Sequence, residues 1–226
     1  MTDRVTWIGD LIGRMLIVVL FSFAAINKTR ALLHAYSEWT AGVEHYEGLR
    51  ILSEIANLSF LVLIVATTLI RLQPLKSAQG IETRVIALAG TFATGVLTII
   101  EPTVVLTPAL RITSLCFTAV GFGLSAYVLY WLGRSFSIMA EARRLVTAGP
   151  YSIVRHPLYA VEEIAVFGIF LLHLSPTAAA FLVVQWSLQM RRMHHEEKVL
   201  REAFPEYEEY AKVTPKFLPF TGGSAA

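Results

Sequence analysis

Apolar and polar positions follow one another along this chain in long blocks, not at the short periods of a soluble domain. Uncharged stretches run over 15–27, 55–70, 85–100, 112–133 and 164–190, with clusters of charge between them. The 112–133 run is 22 residues, or about 33 Å of helix at 1.5 Å per residue, enough to cross a hydrocarbon core of about 30 Å. The blocks predict a first helix over about 8–27, a polar stretch over 28–50, a second helix over 51–71 and a third over 83–101. The third stops at Glu101-Pro102, because proline supplies no amide to a continuing helix. A fourth covers about 110–132. The last run is 27 residues from Ile164 to Met190, more than one simple crossing requires, and Ser175-Pro176 falls near its middle. Residues before proline are pushed out of helical geometry, so two short helices, about 157–173 and 176–192, are expected to fold as a hairpin. The charged segment 193–211 is helical in pattern and is expected to lie at the membrane surface. The fold class predicted is all-α: a polytopic membrane helix bundle of four helices plus a C-terminal helical hairpin and a cytosolic surface helix. Residues 1–132 form its N-terminal transmembrane part and 133–226 a polar loop, the hairpin and a C-terminal segment.

Composition agrees with an integral membrane protein. Of 226 residues, 55% are hydrophobic and only 16% charged, where soluble domains carry about a quarter; disordered, coiled-coil, collagen-like and disulfide-scaffold classes are excluded. A net charge of +2 gives no reason to expect nucleic acid as a partner. Cys116 stands alone inside an uncharged run and reads as a small buried apolar residue. Asp10 and Arg14 open the first apolar run and no small-residue cleavage pattern follows it, so it reads as a membrane helix, not a removable leader. With this topology fourteen of the 19 lysines and arginines fall on the side of the N-terminus, and the positive-inside rule makes that side cytoplasmic. The 133–156 loop and the C-terminal segment then share one side and can meet. Gly9, Gly13, Gly121 and Gly123 are expected at close helix packing.

Chemistry-bearing residues concentrate after residue 142. Arg143-Arg144-Leu145-Val146 leads to a Gly149-Pro150 turn, Tyr151, and then Arg155-His156-Pro157-Leu158-Tyr159. His156 is extended before a proline suited to the first helical position, so a helix starts there with its amide ends toward the loop, an arrangement that favours anions. Tyr159, Glu162 and Glu163 follow at i, i+3 and i+4. Two acids at a membrane boundary ask for a partner, a cavity or a polar interface. The second cluster is Arg192-Met193-His194-His195-Glu196-Glu197, with Arg192 and Glu196 on one helix face. No HxxxH or HExxH spacing occurs, and no metal is expected.

Taken together, Leu-Val-Thr-x-Gly-x-Tyr, Arg-His-Pro-x-Tyr and Arg-x-x-x-Glu-Glu-x-x-Leu, with Tyr207, Tyr210 and Pro215 behind them, resemble the isoprenylcysteine carboxyl methyltransferase family. That family is part of a wider group of membrane methyltransferases that includes phospholipid N-methyltransferases. The resemblance covers about 134–220. It implies S-adenosylmethionine as cofactor without a Rossmann domain, and no GxGxxG follows a strand in this chain. By motif position, Arg143, Arg144, Leu145 and Val146 would form a pocket wall, largely through backbone. Tyr151, His156, Pro157, Leu158, Tyr159 and Glu196 would hold the cofactor, and Arg192 would bind the methyl acceptor. Arg192 and Glu197 are the catalytic candidates, with Glu197 or Glu162 as base if the acceptor is an amine. The partners implied are the bilayer and a lipophilic acceptor, most simply an isoprenylcysteine-like carboxylate. A phospholipid amine, a small thiol, a sterol reductase on a related scaffold, and a non-catalytic membrane protein that keeps the pocket are the competing readings.

Overall fold

A computed structural model describes residues 2–42 and 46–219, and side chains throughout except those of 2–10 and Ile12. Glu44, part of the expected polar stretch, and the last seven residues lie outside the described residues. The chain is an all-α bundle. Its helices are α1 (Thr2–Thr40), α2 (Glu47–Ile70), α3 (Ile81–Leu97), α4 (Pro108–Leu132), α5 (Pro157–Leu172), α6 (Pro176–Ala203) and α7 (Tyr207–Val213). Among the described residues three stretches are long and apolar enough to cross a membrane: Gly13–Thr40, Glu47–Ile70 and Pro108–Ser135. Large apolar side chains such as Phe23, Leu33, Val62 and Val120 face outward from them, as lipid contact requires.

Three helices open on a proline whose missing amide would be unpaired there in any case. Thr107 caps α4 by accepting from the Leu110 amide at 3.3 Å, Ser175 caps α6 through the Ala178 amide at 3.1 Å, and α5 begins at Pro157 after His156. The crossing of α4 on α5 is close because glycines face backbone. A Cβ on Gly121 would lie 2.3 Å from the Ala165 amide, and one on Gly168 would lie 2.7 Å from the Thr118 amide. Ser114 seals that contact by donating to the Gly168 carbonyl at 2.6 Å. By contrast Gly13 and Gly123 have open space around them, so of the expected packing glycines Gly121 alone has this role, and the Gly9 side lies outside the described side chains.

Several boundaries differ from those the pattern predicts. The first helix does not end near 27; it runs on to Thr40, because no proline or glycine interrupts it and its charges find partners on α2. Lys28 meets Glu54, and Glu38 meets Arg50 at 2.6 Å. The second arm of the hairpin does not stop at 192 either. It continues as α6 to Ala203, so the first half of the expected surface helix is the end of α6, and only α7 is separate. The two arms splay: α5 lies along α4 while α6 lies along α3, where Gly90 makes room for the Arg192 side chain. Cys116 is exposed, not buried. A short antiparallel pair, β1 (Lys76–Ser77) with β2 (Glu141–Ala142), ties the α2–α3 connection to the loop after α4. Two-residue strands leave no alternating pattern to detect.

Candidate functional site

The loop between α4 and α5 is held in place by its own backbone. Leu72 donates to the Arg134 carbonyl at 2.9 Å, and Ala78 to the Ala140 carbonyl at 2.9 Å. Glu141 accepts from Arg143 at 2.5 Å and from Ser137 at 2.6 Å, which keeps the buried Arg143 guanidinium occupied within the wall. Gly149 has φ +63, and a Cβ there would lie 2.6 Å from the Trp131 ring, so the motif glycine is required both by its conformation and by the ring beneath it. The turn buries Tyr151, whose carbonyl accepts from the Tyr210 hydroxyl at 2.5 Å. Arg155 and His156 donate their amides to the Pro215 and Lys216 carbonyls at 2.9 and 3.1 Å. The C-terminal segment thus straps the loop against the start of α5.

These restraints bring the two polar clusters together. The Tyr159 hydroxyl donates to Glu196 Oε1, and the Arg192 guanidinium sits 5.0 Å from the centre of the Tyr159 ring, within cation–π range. Arg192 also donates to Gln189 at 2.9 Å and to the Ile138 carbonyl at 3.4 Å, while Gln189 donates to Glu162 at 3.4 Å. One turn further along the arms, Gln185 donates to Glu163 at 2.9 Å. Gln189 and Gln185 are the partners that the acids Glu162 and Glu163 called for, and the hydrophobic pattern alone does not show them.

Adjacent glutamates part company here because neighbouring side chains on a helix point about 100° apart. Glu196 faces a cavity of about 780 Å³. Glu197 turns away from it, into a nest of basic side chains: His156 Nε2 at 3.1 Å, Arg155 and Arg201 at 3.4 Å, and Lys216 at 4.0 Å. Burial would push the Glu197 carboxyl up, but the His156 hydrogen bond and charge, with Lys216 and Arg155, outweigh it and hold the group at about 2. At Tyr207 and Tyr210 burial pushes both hydroxyls upward.

Of the residues singled out from the sequence, Arg143, Arg144, Leu145, Val146, Tyr151 and His156 line the cavity, as do Leu158, Tyr159, Arg192 and Glu196. Pro157 shapes the start of α5 without lining it, and Glu197 does not reach it. The cavity also takes in Glu162, Gln189 and Tyr210, and it extends up the bundle between Phe21, Phe60, Phe92 and Phe122. Those apolar positions on the first four helices are indistinguishable in sequence from ordinary core residues. Among the described residues no group of three or more His, Cys, Asp or Glu side chains is arranged to hold a metal ion.

The fold and site define a helical membrane protein with a charged chamber where a loop and the C-terminal segment close over an apolar channel. Residues 102–207 match the sequence model of the phospholipid methyltransferase family, a stretch that takes in α4, the loop, α5 and α6. Protein-S-isoprenylcysteine O-methyltransferase B of Arabidopsis thaliana is 39% identical over 95 residues, 39% of this chain and 48% of that protein. The nickel-cobalt-cadmium resistance protein NccN of Alcaligenes xylosoxydans xylosoxydans is 38% identical over 80 residues, 35% of this chain and 38% of that protein. The cobalt-zinc-cadmium resistance protein CzcN of Cupriavidus metallidurans is 40% identical over 76 residues, 33% and 35%. The chain spans less than half the length of each of these relatives. The resemblance to isoprenylcysteine methyltransferases that the motifs carry is thus borne out over 95 residues of the chain.

The chamber's donor set suits S-adenosylmethionine, the cofactor the resemblance implies. Glu196 keeps one carboxylate oxygen beyond its bond to Tyr159, the Tyr207 hydroxyl is buried without a partner, and the first amides of α5 have no carbonyl of their own helix to bond. A cationic amine, hydroxyls and a carboxylate find complementary groups in that set.

Proposed function

We propose that this protein is an integral membrane methyltransferase that moves a methyl group from S-adenosylmethionine to a lipophilic acceptor, most simply by carboxyl O-methylation of an isoprenylcysteine-like compound. One observation carries the reading: Tyr159 and Glu196, from separate motifs, bond to each other on the wall of a cavity that continues into the apolar bundle. The cofactor supplies an electrophilic methyl on a sulfonium. Glu196 would take its ammonium, the α5 start its carboxylate, and Tyr151 and Tyr159 would pack on the adenine or sulfonium side. Leu145 and Val146 would wall the pocket. Arg192, held over the Tyr159 ring, would orient an acceptor carboxylate for in-line attack. Positioning of this kind supplies most of the acceleration available to a displacement. A carboxylate needs no base. With this topology the chamber lies on the cytoplasmic side and the acceptor reaches it laterally from the bilayer.

Glu162 favours a second reading. It lines the cavity two side chains from Arg192 through Gln189, where it could accept a proton from an amine, whereas Glu197 is committed to its cations and is left with a positioning role. Labelled methyl transfer into membrane extracts, resolved into carboxyl ester, N-methyl and S-methyl products, tests both. Glu196→Ala should weaken S-adenosylmethionine binding by calorimetry at least tenfold, whereas Arg192→Ala should lower turnover far more than donor affinity. Glu162→Gln should leave ester formation intact and abolish N-methylation. Unchanged donor affinity in Glu196→Ala would remove the cofactor assignment.

A further inference from the structure

The cavity has a second polar end, away from the chamber. On α1, Leu20, Ala24, Asn27, Lys28 and Ala31 share one face along it, and on α2 Ser53, Glu54 and Asn57 stand opposite. Lys28 Nζ lies 3.0 Å from Glu54 Oε2 and donates to Oε1 at 3.3 Å. Both residues belong to stretches long and apolar enough to cross a membrane. Arg14, which reaches the Leu69 carbonyl at 3.3 Å, marks one end of the α1–α2 pair, and the Arg50–Glu38 bridge marks the other. Lys28 falls between them, roughly 21 Å of helix rise from Arg14 and 15 Å from Glu38. Charge at such depth marks function by default. A staple between α1 and α2 is not a sufficient reason for it, because an apolar pair of similar volume holds two helices as well or better.

The pair neutralises itself, so it offers no net charge to a ligand, yet carboxylate lone pairs and ammonium protons remain, and the Asn27 and Asn57 amides stand beside them. A plain hydrocarbon end placed there would strip water from these groups and return no hydrogen bond. The distance from the chamber follows from contacts: Gly90 touches Arg192, the Phe92 ring lies 6.2 Å from Phe21, and Lys28 is seven residues beyond Phe21. Those steps amount to roughly 13 Å along the bundle.

We infer that this end of the cavity is a subsite for an uncharged hydrogen-bonding group (a hydroxyl, carbonyl or amide) at the far end of the acceptor's apolar chain. The acceptor is then a two-ended amphiphile of limited length, an isoprenylcysteine-like compound whose chain carries such a group at its far end. The inference rests on the methyltransferase reading for which end reacts, and its test does not require turnover.

The test is equilibrium binding to the full chain in lipid nanodiscs, with three probes: N-acetyl-S-geranylcysteine, its ω-hydroxylated counterpart and N-acetyl-S-farnesylcysteine. The wild type should bind the hydroxylated probe at least tenfold more tightly than either plain one. Lys28→Met/Glu54→Leu should lose that preference and bind the farnesyl probe more tightly, while Glu54→Gln should keep most of it. Asn57→Leu, outside the ion pair, should reduce the preference in the same direction even where the double variant fails to assemble. Equal binding of plain and hydroxylated probes by the wild type, or a preference unchanged in the variants, overturns the inference. S-adenosylmethionine binding measured on the same preparations separates the two ideas: its absence removes the methyl-donor reading, and the probe preference stands or falls apart from it.

Discussion

At the scale of single residues, Glu196 and Glu197 show how one helix turn divides chemistry from support. Glu196 faces the chamber with Tyr159 as its neighbour, and Glu197 faces four basic side chains beneath the α5 start. Burial opposes the Glu197 charge, but His156, Lys216 and Arg155 prevail, so its folded value is about 2 against an ordinary 4.5. A depressed carboxyl contributes stability that is complete above the unfolded value and drains away as pH falls toward the folded one. The window is therefore about 4.5 down to 2. Thermal unfolding in detergent, followed from about pH 7 to 3, should show the wild type losing stability below about 4.5. Glu197→Gln should begin lower, since truncating one partner of a buried pair leaves uncompensated cations at a cost of about 3–5 kcal/mol, and its acid limb should be flatter. Parallel limbs for the two proteins would show that His156 and its neighbours gain nothing from this carboxylate.

Helices meet most closely at α4 and α5, and the geometry of that crossing makes a sharp prediction. A methyl on Gly121 would sit 2.3 Å from the Ala165 amide, against backbone that cannot rotate aside, so Gly121→Ala must part the two helices. Overpacking of this kind costs about 1–3 kcal/mol, and a chemical denaturation midpoint in detergent should fall accordingly. Gly123 on the same helix meets open space, and Gly123→Ala should be neutral or gain up to about 1 kcal/mol from better helix propensity. Equal losses at both positions would refute the close crossing. Element starts were legible where chemistry was read as marking them: His156-Pro157 and Ser175-Pro176 each open a helix, whereas α4 opens at Thr107-Pro108, ahead of the expected 110. Ends were less so, because charge alone does not break a helix. Lys28 and Glu38 read as loop residues until Glu54 and Arg50 are seen to answer them, and α6 carries its register past Arg191 without a stop signal. The motif residues of the chamber were legible as a group, whereas the roles of Gln189 and Gln185 depend on where α5 and α6 turn toward each other. The channel lining was not legible at all, since Phe21 and Phe60 differ from core residues only in what they leave unfilled.

For the whole molecule the decisive property is continuity. A chamber closed by loop, α5, α6 and the C-terminal strap would bind a soluble acceptor as readily as a lipid one, but this cavity runs on between α1, α2, α3 and α4. If the methyltransferase proposal holds, α1, α2 and α3, which lie outside the matched segment 102–207, would form part of the acceptor route and not merely an anchor. Filling the channel away from the chamber should separate the two functions. Ala24 lies on the cavity wall between the levels of Phe21 and Lys28, and Ala24→Trp would occupy the channel without touching Tyr159, Glu196 or the strap. Calorimetric affinity for S-adenosylmethionine should stay within twofold of wild type, while methyl transfer to a membrane acceptor should fall at least tenfold, with KM rising more than kcat falls. A short acceptor that reaches only the chamber should escape the block. If Ala24→Trp impaired donor binding and acceptor use alike, the channel and the chamber would be one packed unit, and lateral entry between the first helices would have to be abandoned.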